Sequence, residues 1–171
     1  MRCAFHSVAD VTVGVARMIQ RNQDKQLVTN PVAILDTAGP AINARVMTYA
    51  YPRFASIIGP DSQTVHFNST CYDGYIKEHF PMGRDKTFLP GPCYQTNIHI
   101  HGGASGGPVF GPNGCVFGVN STGIDGTDIS YVSSVAAVLD LTLDEVSIEG
   151  RSPRPVCIRD MVHAGHVKVR P

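Results

Sequence analysis

Six consecutive residues, Gly103-Ala104-Ser105-Gly106-Gly107-Pro108, carry most of the chemistry legible in this chain of 171 residues. A serine hydroxyl attacks a carbonyl carbon once an adjacent base takes its proton. Glycines at 103, 106 and 107 permit a tight turn that can aim two backbone N–H groups at one point, as an oxyanion requires. Bulky Val109 and Phe110 follow Pro108 at once, so the turn runs into a strand and not a helix. These residues predict a nucleophile loop with Ser105 at its centre.

The segment GASGGPVFG, residues 103–111, resembles the active-site segment GxSGGP of the trypsin/chymotrypsin-like serine peptidases. Val116 to Gly123 (VFGVNSTG) looks like that family's next strand, ending in a Ser-x-Gly segment beside the substrate. Ile129-Ser130-Tyr131-Val132 looks like the last barrel strand, with 133–146 in the place of the closing helix. Upstream, Ala9-Asp10-Val11-Thr12-Val13 is similar to the strand bearing the triad aspartate. Asp10 lies 95 residues before Ser105, against roughly 90 in the template.

The resemblance implies an all-β fold, a trypsin-like double antiparallel β-barrel with the first barrel incomplete and a short C-terminal helix. It implies a serine-type endopeptidase that hydrolyses peptide bonds through an acyl-enzyme at Ser105. Asp10 would orient a histidine base, and the N–H groups of Gly103 and Ser105 would form the oxyanion hole. His99, six residues before Ser105, takes the position at the base of the primary pocket, where a histidine suits an acidic or polar side chain. Asn120 to Gly123, with Ser121, Thr122 and Gly123 against the substrate, and Asp128 to Ser130 would wall that pocket. The implied partner is a peptide or protein substrate, with no cofactor and no metal.

Two departures matter. The family places its histidine about 45 residues before the aspartate, and only nine residues precede Asp10. His6 is among them, but four residues along a strand correspond to about 13 Å, too far to orient an imidazole on Asp10. The N-terminal part that carries the histidine is therefore expected to be missing, leaving the chain as given inactive. Ala104 stands where animal digestive members have an aspartate that pairs with a newly cut N-terminus. This favours a bacterial-type branch, as does Tyr51-Pro52.

Other readings remain open. A non-catalytic homologue, binding a partner through the protease scaffold, also accounts for the missing histidine. An α/β-hydrolase esterase is the minor alternative, because residues 103–107 also satisfy GxSxG and His101-Gly102-Gly103 is a possible oxyanion segment. That reading needs a helix after Ser105, with Asp140 or Asp144 and then His163 as partners. His99-x-His101 as a metal site lacks a further ligand at suitable spacing.

Composition agrees with one modest domain. Fourteen basic and 14 acidic residues give no net charge, so nothing indicates nucleic acid or an anionic membrane. No apolar run reaches spanning length, and Met1 to Phe5 lacks the apolar core of a signal peptide. Five cysteines make an odd count, and by resemblance Cys71 and Cys93 bracket a loop where a disulfide fits. Asn68-Ser69-Thr70 and Asn120-Ser121-Thr122 match the glycosylation sequon. Low charge and cysteine usage lean towards a secreted or cell-envelope setting.

These residues must be positioned by elements. Alternation over 8–15 predicts a strand bearing Asp10. Leu27 to Leu35 reads as closing the first barrel, Thr37 to Pro40 as a turn, and Asn43 to Tyr51 as the first strand of the second barrel. Residues 56–92 give no clear pattern. Ser134 to Leu139 reads as a capped helix. The divisions are 1–38, a remnant of the N-terminal barrel; 39–149, the C-terminal barrel with its closing helix; and 150–171, an unplaced tail.

Overall fold

The computed structural model describes residues 2–15, 32–58, 63–148 and 152–170. Strands β4 (Arg45–Ile58), β5 (Gln63–Phe80), β6 (Cys93–Thr96), β7 (Pro108–Phe110), β8 (Val116–Gly123) and β9 (Ser130–Ser134) form one continuous ring. The order β8-β7-β4-β5-β6-β9 closes through β8–β9 pairing, and every pair in the ring is antiparallel. The all-β expectation holds, and the second barrel is a closed, six-stranded one. Closure removes the unpaired edges an open sheet would expose.

Side chains alternate as a barrel demands. In β4, Val46, Thr48 and Ala50 are buried while Met47, Tyr49 and Tyr51 are exposed. Val46, Ile76, Tyr94, Val109, Phe117 and Val132 fill the interior, each contributing about 1.5–3 kcal/mol by leaving water. Gly118 makes the seam possible. A Cβ there would lie 2.3 Å from Val132 Cγ1 and 2.7 Å from the Ser133 carbonyl oxygen.

The expected strand Asn43 to Tyr51 starts two residues later and runs on to Ile58, past a register shift between Ala50 and Arg53 that contains Pro52. Such a bulge is where a strand tolerates a proline, which has no N–H for the ladder. Beyond it, β4 and β5 pair with each other among the described residues. The stretch that gave no pattern in the sequence thus opens with one of the longest strands of the molecule.

The N-terminal residues form a two-stranded ribbon, β1 (Arg2–Phe5) with β2 (Thr12–Val15). Strand β3 (Ile34–Leu35) pairs in parallel with β8 and with β12 (Lys168–Val169), so it extends the barrel sheet. Most of the stretch Leu27 to Leu35 lies outside the described residues. The expected helix at Ser134 to Leu139 is a 3-10 helix, Val135–Asp140, with the Ser134 hydroxyl oxygen accepting from Ala136 N–H. Strand β10 (Thr142–Val146) follows where more of the closing helix was expected, and pairs with β11 (Arg154–Cys157). The one α-helix among the described residues, α1 (Ile158–His163), lies in the tail.

That tail completes a second core. Leu141, Leu143 and Val146 meet Val156 and Ile158, and Ala4 and Val13 of the ribbon pack against them. All five cysteines are free thiols, which corrects the expected Cys71–Cys93 bridge. Cys93 is paired across the ladder with Phe80, and Cys71 stands nine residues away along the same strand, on the order of 30 Å. A disulfide needs Cα atoms within about 7 Å.

Candidate active site

The Ser105 loop is tied down from three sides. Ala104 is fully buried; its N–H donates to His101 O at 3.1 Å and its carbonyl accepts from Gly107 N–H at 3.1 Å. Gly106 has a φ of 82°, where a side chain is strained, and its N–H donates to Asn120 O at 2.8 Å. Asn120 N–H returns a bond to Gly107 O at 2.9 Å. Gly103 also has positive φ, at 89°. Among the described residues nothing accepts from the N–H groups of Gly103 or Ser105, and both residues are exposed. Strand β7 follows the loop directly, which removes the esterase reading, since that fold requires a helix there. In keeping with this, Asp144 lies in β10 and His163 in α1, while Asp140 ends the 3-10 helix.

Asn120, read from the sequence as part of a sequon and as the start of the pocket wall, braces the nucleophile loop. It is buried, its Nδ2 donates to Thr48 Oγ1 at 2.7 Å and to Ala104 O at 3.4 Å, and Thr48 Oγ1 donates to Pro108 O at 2.8 Å. A glycan cannot attach to an amide held this way inside the barrel. Asn68, of the other sequon, is exposed on β5. The only signal for Asn120 was its place in β8, one residue before Ser121.

Ser121 connects the loop to Asp10. The β8–β9 register shifts between Asn120 and Thr122, so Ser121 sits at a bulge that turns its groups out of the ladder. Its carbonyl accepts from the Ser105 hydroxyl at 2.9 Å, and its own hydroxyl donates to Asp10 Oδ2. Three residues far apart in sequence therefore meet at one point of the surface.

Asp10 does not lie within a strand, as the alternation predicted, but in the loop joining β1 to β2. The apolar residues on either side, Ala9 and Val11, are both buried, which strict alternation would also give. The difference comes from His6. Its Nδ1 accepts from Val8 N–H at 3.1 Å and from Ala9 N–H at 2.8 Å, folding the chain back on itself. His6 is thus a loop residue bonded to its own turn. Gly91 supports the loop from below: a Cβ on Gly91 would lie 2.5 Å from Ala9 Cα. Among the described residues no histidine bonds to Ser105 or to Asp10.

Asp10, Ser121, Thr122 and Gly123 line a cleft of about 280 Å³ with Arg84, Phe88 and Tyr131. The Arg84 guanidinium lies over the Tyr131 ring, 4.5 Å from its centroid, a cation–π contact. The loop that offers Arg84 and Phe88 is shaped by Asp85, whose carboxylate accepts from the N–H groups of Thr87, Phe88 and Leu89. The Phe88 bond is the largest of several effects that hold the Asp85 carboxyl below its usual range. His99 lies apart from this cleft, with Nδ1 3.3 Å from Asp128 Oδ1, so the structure joins it to the second segment expected near the pocket. Among the described residues no cluster of three or more His, Cys, Asp or Glu has the arrangement of a metal site, and no helix is long and apolar enough to cross a membrane.

The chain matches no family model and no curated protein. Solved structures do resemble it. One is the inactive form of the Rv3671c protease of Mycobacterium tuberculosis, at 25% identity over 66% of this chain, with a TM-score of 0.44. A serine-to-alanine mutant of the same protein matches at 25% identity and a TM-score of 0.45. A catalytically inactive tobacco etch virus protease complexed with substrate is 13% identical over 92% of this chain and 60% of its own, with a TM-score of 0.40. This chain spans about half the length of Rv3671c, 51% for the mutant and 52% for the other.

Proposed function

We propose that the protein is a serine-type endopeptidase in which Ser105 is the nucleophile. The observation that carries this reading is the convergence of Ser105, Ser121 and Asp10 beside two exposed backbone N–H groups that nothing among the described residues accepts. In this reading a peptide carbonyl sits over Ser105. The N–H groups of Gly103 and Ser105 hold the developing oxyanion, at about 3–4 kcal/mol per donor. The serine proton leaves to a histidine base, which Asp10 holds in the tautomer that can accept it. In this reading residues 1–38 are a remnant of the first barrel, and His6, bonded to its own turn, is not the base. Ser121 to Gly123 form the wall along which an extended peptide lies, and His99 contributes to the pocket for its side chain.

One observation favours a second reading, a binding module without catalysis. The Ser105 hydroxyl donates to a carbonyl and not to a base, and a carbonyl cannot carry a proton away. The two readings separate in one experiment: the native protein is treated with a fluorophosphonate and digested, and the labelled peptide is identified by mass spectrometry, alongside cleavage of a peptide library. Labelling of Ser105, with library cleavage lost in Ser105→Ala, is the expected outcome. An unlabelled Ser105 and an intact library would establish the binding module.

A further inference from the structure

His99 and His101 flank Ile100, which packs under the end of the β8 wall; a Cβ on Gly123 would meet Ile100 Cγ1 at 3.2 Å. Both imidazoles are exposed, with ring centroids 5.1 Å apart and planes at 71°. Each already has one ring nitrogen engaged, and the two engagements differ. His99 Nδ1 faces the Asp128 carboxylate at 3.3 Å. A carboxylate only accepts, so His99 carries its proton on Nδ1 and, while neutral, presents Nε2 as an acceptor. His101 Nδ1 lies 3.3 Å from the Tyr72 hydroxyl, and its ring stacks on that of Tyr72 at 5.8 Å. A phenol that donates to Nδ1 leaves His101 with Nε2–H, a donor. In the tautomer in which the phenol donates, a donor and an acceptor stand side by side, and the His101 carbonyl is bonded to Ala104 N–H of the nucleophile loop.

We infer that this pair reads a side-chain carboxamide, glutamine or asparagine, on the substrate residue that enters beside Ser105. The inference rests on the peptidase reading of that serine. A carboxamide offers an acceptor oxygen to His101 Nε2–H and a donor N–H to His99 Nε2, so both histidines are satisfied while neutral. A carboxylate has no donor for His99, an ammonium has no acceptor for His101, and a thioether matches neither. Asp128 and Tyr72 are positioning residues, because they set which nitrogen of each ring faces outwards.

The test needs binding only. The 171-residue protein is titrated at about pH 8 with four acetylated tetrapeptides. Each has three alanines followed by glutamine, glutamate, methionine or lysine with a free terminal carboxylate. Binding is read from the amide shifts of Ser105 and Gly106. The glutamine peptide is expected to bind about tenfold more tightly than the methionine peptide of similar shape, because a site built to hydrogen-bond rejects the analogue that cannot. His99→Phe and His101→Phe should each erase that preference, so that the glutamine and methionine peptides bind each variant equally. Both side chains are exposed, and amide dispersion checks that the variants fold. Equal binding of all four peptides, or tighter binding of glutamate or lysine, would overturn the carboxamide inference and leave the Ser105 site standing. No shift at Ser105 or Gly106 with any peptide would overturn both.

Discussion

Ser121 holds two partners at once because the bulge in β8 frees its carbonyl for Ser105 and its hydroxyl for Asp10. Ser121→Ala removes the second bond and keeps the first. On the peptidase reading the expected result is a fall of about tenfold in kcat, since roughly 1.4 kcal/mol is one decade in rate and the lost bond is the one to Asp10. Peptide-hydrolysis kinetics check it. A different single residue sets acid sensitivity. Asp36 is buried, and burial alone would raise its carboxyl. Bonds from Asn113 and Gly39 and the Arg170 guanidinium outweigh that and hold it below the ordinary value. A carboxyl lowered in the folded state contributes stability that is fully present above its unfolded value, near 3.9, and is lost as pH falls through the folded value. Asp36→Asn should therefore cost about 1–3 kcal/mol at neutral pH and nothing in strong acid, which thermal unfolding across pH would show. The Ser105 loop was legible because glycine, serine and proline declare their own backbone roles. The seating of Asp10 was not, because it depends on the His6 ring accepting from its own turn and on Gly91 lying beneath Ala9.

At the scale of elements, the barrel is held shut by a position with no side chain. Gly118→Ala would force a methyl group against Val132 and the Ser133 carbonyl. Overpacking of this kind costs about 1–3 kcal/mol, or roughly 2–12 °C in Tm for a chain of this size, to be measured by circular dichroism. Strands β8 and β9 were readable because residues 116–123 and 129–132 resemble strands of the trypsin-like peptidases. The part of β4 and β5 beyond Arg53 was not, since among the described residues it pairs only with itself. The capping signal of Ser134 was real, yet it opens a 3-10 turn. Leu141 is drawn into the second core, and tertiary burial outweighs helix propensity.

For the whole molecule, the second core matters as much as the barrel. Leu143 is 2% exposed at its centre, and Leu143→Ala should cost about 2–5 kcal/mol. Ala4 and Val13 pack into the same cluster, so the variant should also loosen the ribbon whose loop carries Asp10. Amide shifts of Asp10 should move, and hydrolysis should fall, in a protein whose barrel amides are unchanged. None of this was visible in the sequence: the tail gave no period, and two of its partners, Ala4 and Val13, lie at the opposite end of the chain. There is a consequence in time. A ribosome adds about 5–20 residues per second, so Asp10 emerges roughly 7–30 s before Ile158, the residue that finishes its support. The aspartate is made well before the residues that secure it. A growing chain therefore carries no seated Asp10 while its own unfolded segments lie within reach.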